Sequence, residues 1–356
     1  MACGTLTGPA KRPRRRSPAC VLAALATSAC THGEPFAPAP LETRPPFATA
    51  FPRRLTFNPG MDVTPSVSAD TLVFSRGEPQ RADRDVCLAV LPVDGGVLAA
   101  QSCPHEGVAD PRQDVWLEPT ISPDRTQVAF VRQSGQPGAT LPDTRALVLA
   151  SRDRPDSARV VVPGTYDTGR GQTGNAFRHV SWLDGGTLRF LGGLEFYDAM
   201  SRDTVLVAYG VFRVDLSSGG PGLPVWEADA LAYDTEADGI LYVVPPSDPT
   251  AVYAVTTGGA PTLLARFGTT DASTLTGLTE LAMADGVPVV IGTFQLPPPG
   301  GTSVQILMQD VGAGLQQKTL WSTGLPRRLA AVPGRRQVVA QIAAGGAPEL
   351  WLLEVR

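Results

Sequence analysis

RRLTFNPGMDVTPSVSADTLVFSR, residues Arg53 to Arg76, carries a grammar that recurs, more or less worn, to the end of the chain. It reads as an edge strand (Arg54 to Phe57), a loop, a short inner strand (Pro65 to Ser68), a tight turn at Ala69 and Asp70, and a β-rich strand (Thr71 to Ser75). The stretch EPTISPDRTQVAFVR, from Glu118 to Arg132, repeats it with Pro, Ser and Asp at the same offsets. Further copies centre near Val180 (HVSWLDGG), Leu231 (ALAYDTEADG), Leu281 (ELAMADG) and Leu329 (RLAAVPGRR). The spacing of about 50 to 60 residues lies in the range of propellers and solenoids.

Each copy continues in the same way. A β-branched or aromatic run follows the turn (TLVFSR, TQVAFVR, TLRFLGG, GILYVVP, VPVVIGTF, RQVVAQIA), and then a third strand (DVCLAVLPV, RALVLAS, YGVFRVDL, AVYAVTT, VQILMQD, ELWLLEV). A Gly-rich turn and a fourth strand close every unit except the last, which stops at Arg356. The spare strand PRRLTF ahead of the first unit is the natural partner for that missing edge. The expectation is an all-β, six-bladed β-propeller of four-stranded antiparallel blades, with the N-terminal strand completing the last blade and removing an exposed sheet edge.

Composition agrees with an all-β chain: 356 residues, 43% hydrophobic, with 37 Gly and 34 Pro, are long enough for a large core and too punctuated for helices. Lys11, Arg12 and Arg14 to Arg16 precede Cys30 without a single acid, so removal of that leader takes the formal charge from −4 to about −9. Such a balance argues against a nucleic-acid partner. The leader has the parts of a secretory signal: the basic run PAKRPRRRSP, an apolar run from Ala19 to Ala26 too short to span a bilayer, and small residues ending in ATSAC. This end resembles the bacterial lipoprotein signal, which implies cleavage after Ala29 and lipid on Cys30. Thr27 stands where that signal usually has an aliphatic residue, which leaves ordinary signal-peptidase cleavage as the alternative. Residues 31 to 50, THGEPFAPAPLETRPPFATA, form a Pro-rich stretch without period and read as a tether. The expected organisation is therefore a signal at 1–29, a lipidated cysteine and tether at 30–50, and a propeller at 51–356, in the periplasm or at the cell surface.

The block RRLTFNPGMDVTPSVSADTLVFSR followed by LPVDGG resembles the repeat of the TolB-type propellers, an RLT strand, a DxxPxWSPDG turn, an IAF strand and a strand ending in DGG. Val67 and Ile121 stand in place of the family's Trp, and Thr71 and Arg125 in place of the Gly after Asp. The resemblance implies a periplasmic binding scaffold.

Cys87 and Cys103 flank the hairpin CLAVLPVDGGVLAAQSC, whose midpoint is Gly95. Folding there pairs Val93 with Val97, Leu91 with Ala99, and Cys87 with Cys103, which favours a disulfide in an exported protein. His179, aligned with Pro65 and Pro119, should lie near the channel mouth beside Arg178, with no acid near it in sequence. Glu118, Glu227, Asp229 and Glu280 are scattered over the strand entrances without an evident convergent set. His105, with Glu106 and Asp110, is a weak loop cluster. The insertion from Leu194 to Gly210, with Phe196, Tyr197 and Asp198, is the expected partner contact. GxSxG, HExxH, GxxxxGK[ST] and CxxC are all absent from the sequence. No cofactor or metal is expected. The sequence favours a monomeric binding protein for an envelope protein or glycan, with an enzyme of the lyase, glycosidase or peptidase type as the alternative.

Overall fold

The computed structural model describes residues 51–356, except 78–84, 105–112, 136–143, 172, 194, 199–202, 207–209, 237–238, 257–258, 270–272, 311, 313 and 315; for 195–198 and 203–206 only the backbone is described. Strands are the only regular elements among these residues. In chain order they are β1 (Arg53–Arg54), β2 (Met61–Ser68), β3 (Thr71–Gly77), β4 (Val86–Pro92), β5 (Ala100–Ser102), β6 (Gln113–Ile121), β7 (Gln127–Gly135), β8 (Thr144–Ser151) and β9 (Arg154–Pro163). There follow β10 (Tyr166–Asp167), β11 (Thr173–Gly174), β12 (Ala176–Asp184), β13 (Thr187–Gly193), β14 (Glu195–Asp198), β15 (Asp203–Leu206), β16 (Gly210–Asp215), β17 (Val225–Ala228), β18 (Ala232–Thr235) and β19 (Leu241–Val244). The chain ends with β20 (Ala251–Val255), β21 (Thr262–Arg266), β22 (Thr274–Ala284), β23 (Val287–Gln295), β24 (Thr302–Met308), β25 (Lys318–Trp321), β26 (Leu325–Ala331), β27 (Gln337–Ala343) and β28 (Glu349–Glu354).

They pair as a propeller. Four-stranded antiparallel sheets run β12-β13-β16-β17, β18-β19-β20-β21, β22-β23-β24-β25 and β26-β27-β28-β1. The first two repeats, β2-β3-β4-β5 and β6-β7-β8-β9, meet in one larger sheet through a single parallel pairing, Val86 with Val115. The second strands of the repeats are largely apolar on both faces, as in Leu72, Val73 and Phe74 of β3 or Val289, Val290 and Ile291 of β23, because each face packs on a neighbouring sheet. Val289, Ile291, Leu329 and Val338 share one such inter-sheet cluster; Leu72, Phe74, Leu350 and Leu352 share another.

The N-terminal edge is shorter than the sequence predicts. Only Arg53 and Arg54 form a ladder, opposite Leu352 and Trp351. Leu55 N–H then donates to the Leu350 carbonyl at 2.8 Å, and the Thr56 hydroxyl accepts the Leu350 N–H at 3.0 Å. A side chain thus replaces the main chain where the ladder stops. The β4–β5 hairpin takes the expected register, Leu88 opposite Ser102 and Val90 opposite Ala100. Cys87 and Cys103 are disulfide-bonded with Cα atoms 4.3 Å apart, the spacing of a directly opposed pair.

Each of β2, β6, β12, β22 and β26 carries a bulge near the middle of its pairing with the next strand. Pro65 and Pro119 sit at two of these, where a missing N–H costs no ladder bond. At the bulges Thr64, Glu118 and His179 adopt left-handed backbones, with φ of 49°, 51° and 50°. Non-glycine residues rarely hold that conformation, and tertiary contacts must stabilise it.

Candidate functional site: the central channel

The register corrects the placement of His179. Ser66, Thr120 and Ser181 lie opposite Val73, Ala129 and Arg189, so His179 is equivalent to Thr64 and Glu118, one residue before the prolines with which the sequence aligns it. A second bulge, between Trp182 and Asp184, inserts one residue before the turn of this repeat and displaces the count made back from that turn.

This common level brings together side chains from distant repeats. Arg328 of β26 donates to Glu118 Oε1 at 2.9 Å and also to Glu280 Oε1, bridging β6 and β22 across 210 and 48 residues of chain. The other oxygen of Glu118 accepts the His179 N–H at 2.8 Å. His179 Nδ1 lies 3.7 Å from Glu280 Oε2, an oxygen that accepts no hydrogen bond. The expectations of a histidine without an acid and of acids without convergence are therefore overturned: Glu118, Glu280, His179 and Arg328 form one cluster. Glu227 and Asp229 stay outside it. Glu227 pairs with Arg189 at 2.7 Å, and Asp229 with Arg170 at 2.5 Å.

Side-chain hydrogen bonds tie neighbouring repeats at the same level. Thr64 Oγ1 accepts the Glu118 N–H at 3.2 Å, and Gln341 of β27 accepts the Thr64 N–H at 3.0 Å. Tyr233 of β18 donates to the His179 carbonyl, with its hydroxyl 3.0 Å from Ser181 Oγ. Asp234 of β18 accepts the Met283 N–H of β22 at 2.6 Å.

Burial and charge oppose each other here. Burial pushes the His179 pKa down, but the adjacent Glu280 carboxylate, helped by the charges of Asp234 and Glu118, outweighs it, and the imidazole pKa is raised above its usual 6.5. Burial pushes Glu280 up; Arg328 and His179 more than compensate and hold its pKa below the usual value. Asp234 has no such cation in contact, and burial raises its pKa. Desolvation also raises the Tyr233 phenol.

A cavity of about 700 Å3 stands over the cluster, and β2, β6, β12, β18, β22 and β26 all contribute to its wall. Its lining begins at Thr64, Glu118, His179 and Arg328 and continues along these strands to the hairpin turns at Ala69, Asp285 and Gly334. It therefore lies toward the turns rather than at the strand entrances. Of the other sequence candidates, Arg178 is half-buried beside His179. Phe196, Tyr197 and Asp198 belong to β14, paired with β15 between the second and third strands of their repeat, and their side chains lie outside the description. His105 and Cys30 lie outside the described residues. Asp234 and Tyr233 escaped the sequence reading. The motif ALAYDTEADG contains both, and Thr235 pairs with Leu241 across its bend, but no Pro or His marks their level as one does in the first three repeats. No group of three or more ligating side chains placed to hold a metal ion occurs among the described residues.

No family model matches the sequence, and no curated protein matches it. Solved structures similar to this chain include a puromycin hydrolase mutant (14% identity, TM-score 0.46), for which 83% of this chain covers 52% of the other, so this chain spans about half of that protein's length. The β-propeller domain of the trilobed protease from Pyrococcus furiosus has 13% identity and a TM-score of 0.44 over 85% of this chain and 95% of the other. An oligogalacturonate lyase in complex with manganese has 14% identity and a TM-score of 0.46 over 90% and 97%. The assignment to the propellers rests on the strand pairing of this chain itself.

Proposed function

We propose that this chain is an exported, lipid-anchored, TolB-like six-bladed propeller that engages a protein or glycan of the cell envelope through its central cavity. Counting the two repeats joined at Val86 and Val115 as separate blades supports the six-blade reading, and the pairing of β1 with β28 supports a ring closed by its own N-terminal strand. One observation carries the binding role: a cavity of about 700 Å3 in which Glu118, His179, Asp234 and Arg328, from different repeats, converge. That volume is within the usual range for ligand sites, and few convergent polar groups are what such sites use for orientation.

The experiment is site-directed photo-crosslinking in cells, with the reactive side chain at Ser68 in the cavity wall or at Leu263 on β21, outside the cavity. A specific adduct at Ser68 and none at Leu263 is expected. Equal labelling at both, or none at Ser68, would overturn the reading.

An enzyme of the lyase, glycosidase or peptidase type is the second reading, favoured by the Glu280 carboxylate beside His179 Nδ1, an arrangement that orients an imidazole for proton transfer. Turnover of envelope glycan or peptide that is lost in His179→Gln would favour it.

A further inference from the structure

The charges of the cavity wall are unevenly paired. Arg328 is engaged by Glu118 and Glu280 together. Elsewhere on the wall, Asp234 and Glu236 take their hydrogen bonds from neutral donors: Asp234 from the Thr235 and Met283 N–H groups at 2.7 and 2.6 Å, Glu236 from the Gly286 N–H at 2.6 Å and the Tyr242 hydroxyl at 3.4 Å. Among the described residues no Arg or Lys side chain makes an ion pair with either. Asp285, farther out on the same wall, is 60% exposed and lies 3.8 Å from Arg336. Beneath them, Glu280 is 7% exposed and its Oε2 still lacks a hydrogen-bond donor. The wall as a whole is short of positive charge, in a concave, partly desolvated space where the field of like charges is focused. The remaining lining is polar but neutral (Ser66, Thr120, Ser181), and the half-buried Trp182 adds an indole ring of the kind that attracts organic cations.

Resting on the reading of the cavity as a binding site, we propose that its ligand carries an organic cation, an ammonium or guanidinium group on a narrow flexible stem, received by Asp234 and Glu236. A free polyamine and a Lys or Arg side chain of a peptide present this same chemistry. The ligand supplies the charge that the protein withholds, and the hydroxyl-lined side accepts the neutral part of the molecule.

Calorimetric titration of the full chain at low salt provides the test, with spermidine as the free amine, the peptide Gly-Lys-Gly as the side-chain probe, and citrate as an anionic control. Binding of at least one cation is expected, weakened about tenfold or more by Asp234→Asn and by Glu236→Gln, each checked for unchanged circular dichroism and melting. Tighter binding of spermidine assigns the free amine, and tighter binding of the peptide assigns the side chain; both support the proposal. Tighter binding of citrate, unchanged affinity in both folded variants, or no cation binding would overturn it. No cation binding while Ser68 still forms its specific adduct rejects the cation alone; loss of both rejects the cavity as a binding site.

Discussion

Arg328 holds the centre of the cluster, because among the described residues its guanidinium is the side-chain cation in contact with both Glu118 and Glu280. Arg328→Met should leave two mostly buried carboxylates without it and lower stability by about 3–5 kcal/mol in urea unfolding, since an uncompensated buried charge costs more than the pair contributes. Adding Glu118→Gln and Glu280→Gln should recover much of that loss; a triple variant as unstable as the single one would deny that charge is the cause. His179 adds a pH term. Its folded pKa lies above the unfolded value near 6.5, so its contribution is fully present below that value and is lost as pH rises through the folded pKa. Stability should therefore fall on the alkaline side of about 6.5, and His179→Gln should remove that component from the pH profile. These contacts were hidden in the sequence for a definite reason. Glu118, His179, Glu280 and Arg328 could each be read there as strand-entrance residues, but one inserted residue at Leu183 moved His179 off register, and pairwise distance across a channel has no trace in local spacing.

Among the elements, the β4–β5 hairpin was the most readable. The symmetric placement of Cys87 and Cys103 about Gly95 determines register as soon as the turn is known, because cross-strand partners have a constant sum of residue numbers. β5 is only three residues long, so the disulfide does what a longer ladder does elsewhere. Reduction, or the double change Cys87→Ala and Cys103→Ala, should cost roughly 3 kcal/mol on the loop-entropy estimate, read as a lower urea midpoint of the oxidised protein relative to either. Equal midpoints would show that the hairpin holds without its bond. The β1 edge was only half readable: its partner strand could be inferred from the missing outer strand of the last repeat, but not that Thr56 would end the ladder with its hydroxyl.

At the level of the whole molecule, the β1–β28 pairing joins sequence ends almost the length of the chain apart. A chain beginning at residue 58 loses the fully buried Leu55, the Arg54 partner of Glu349, and the cover on the apolar strand ELWLLE. It should melt earlier than a chain beginning at residue 51 and form aggregates on size-exclusion chromatography, because an open apolar edge recruits other strands. Identical melting of the two would remove the case for end closure. Cys30→Ser in the full-length chain should shift the protein from the membrane to the soluble fraction; persistence in the membrane with acylation intact would reject the anchor. The reach of Arg328 also bears on biosynthesis. A chain made from its N-terminus onward places Glu118 and Glu280 in their strands before the arginine that satisfies them exists, and β28, which receives β1, follows later still. Such long-range contacts fold slowly. Any copy terminated before Arg328 leaves Glu118 and Glu280 without their guanidinium, so incomplete products should be cut by protease faster than the full chain.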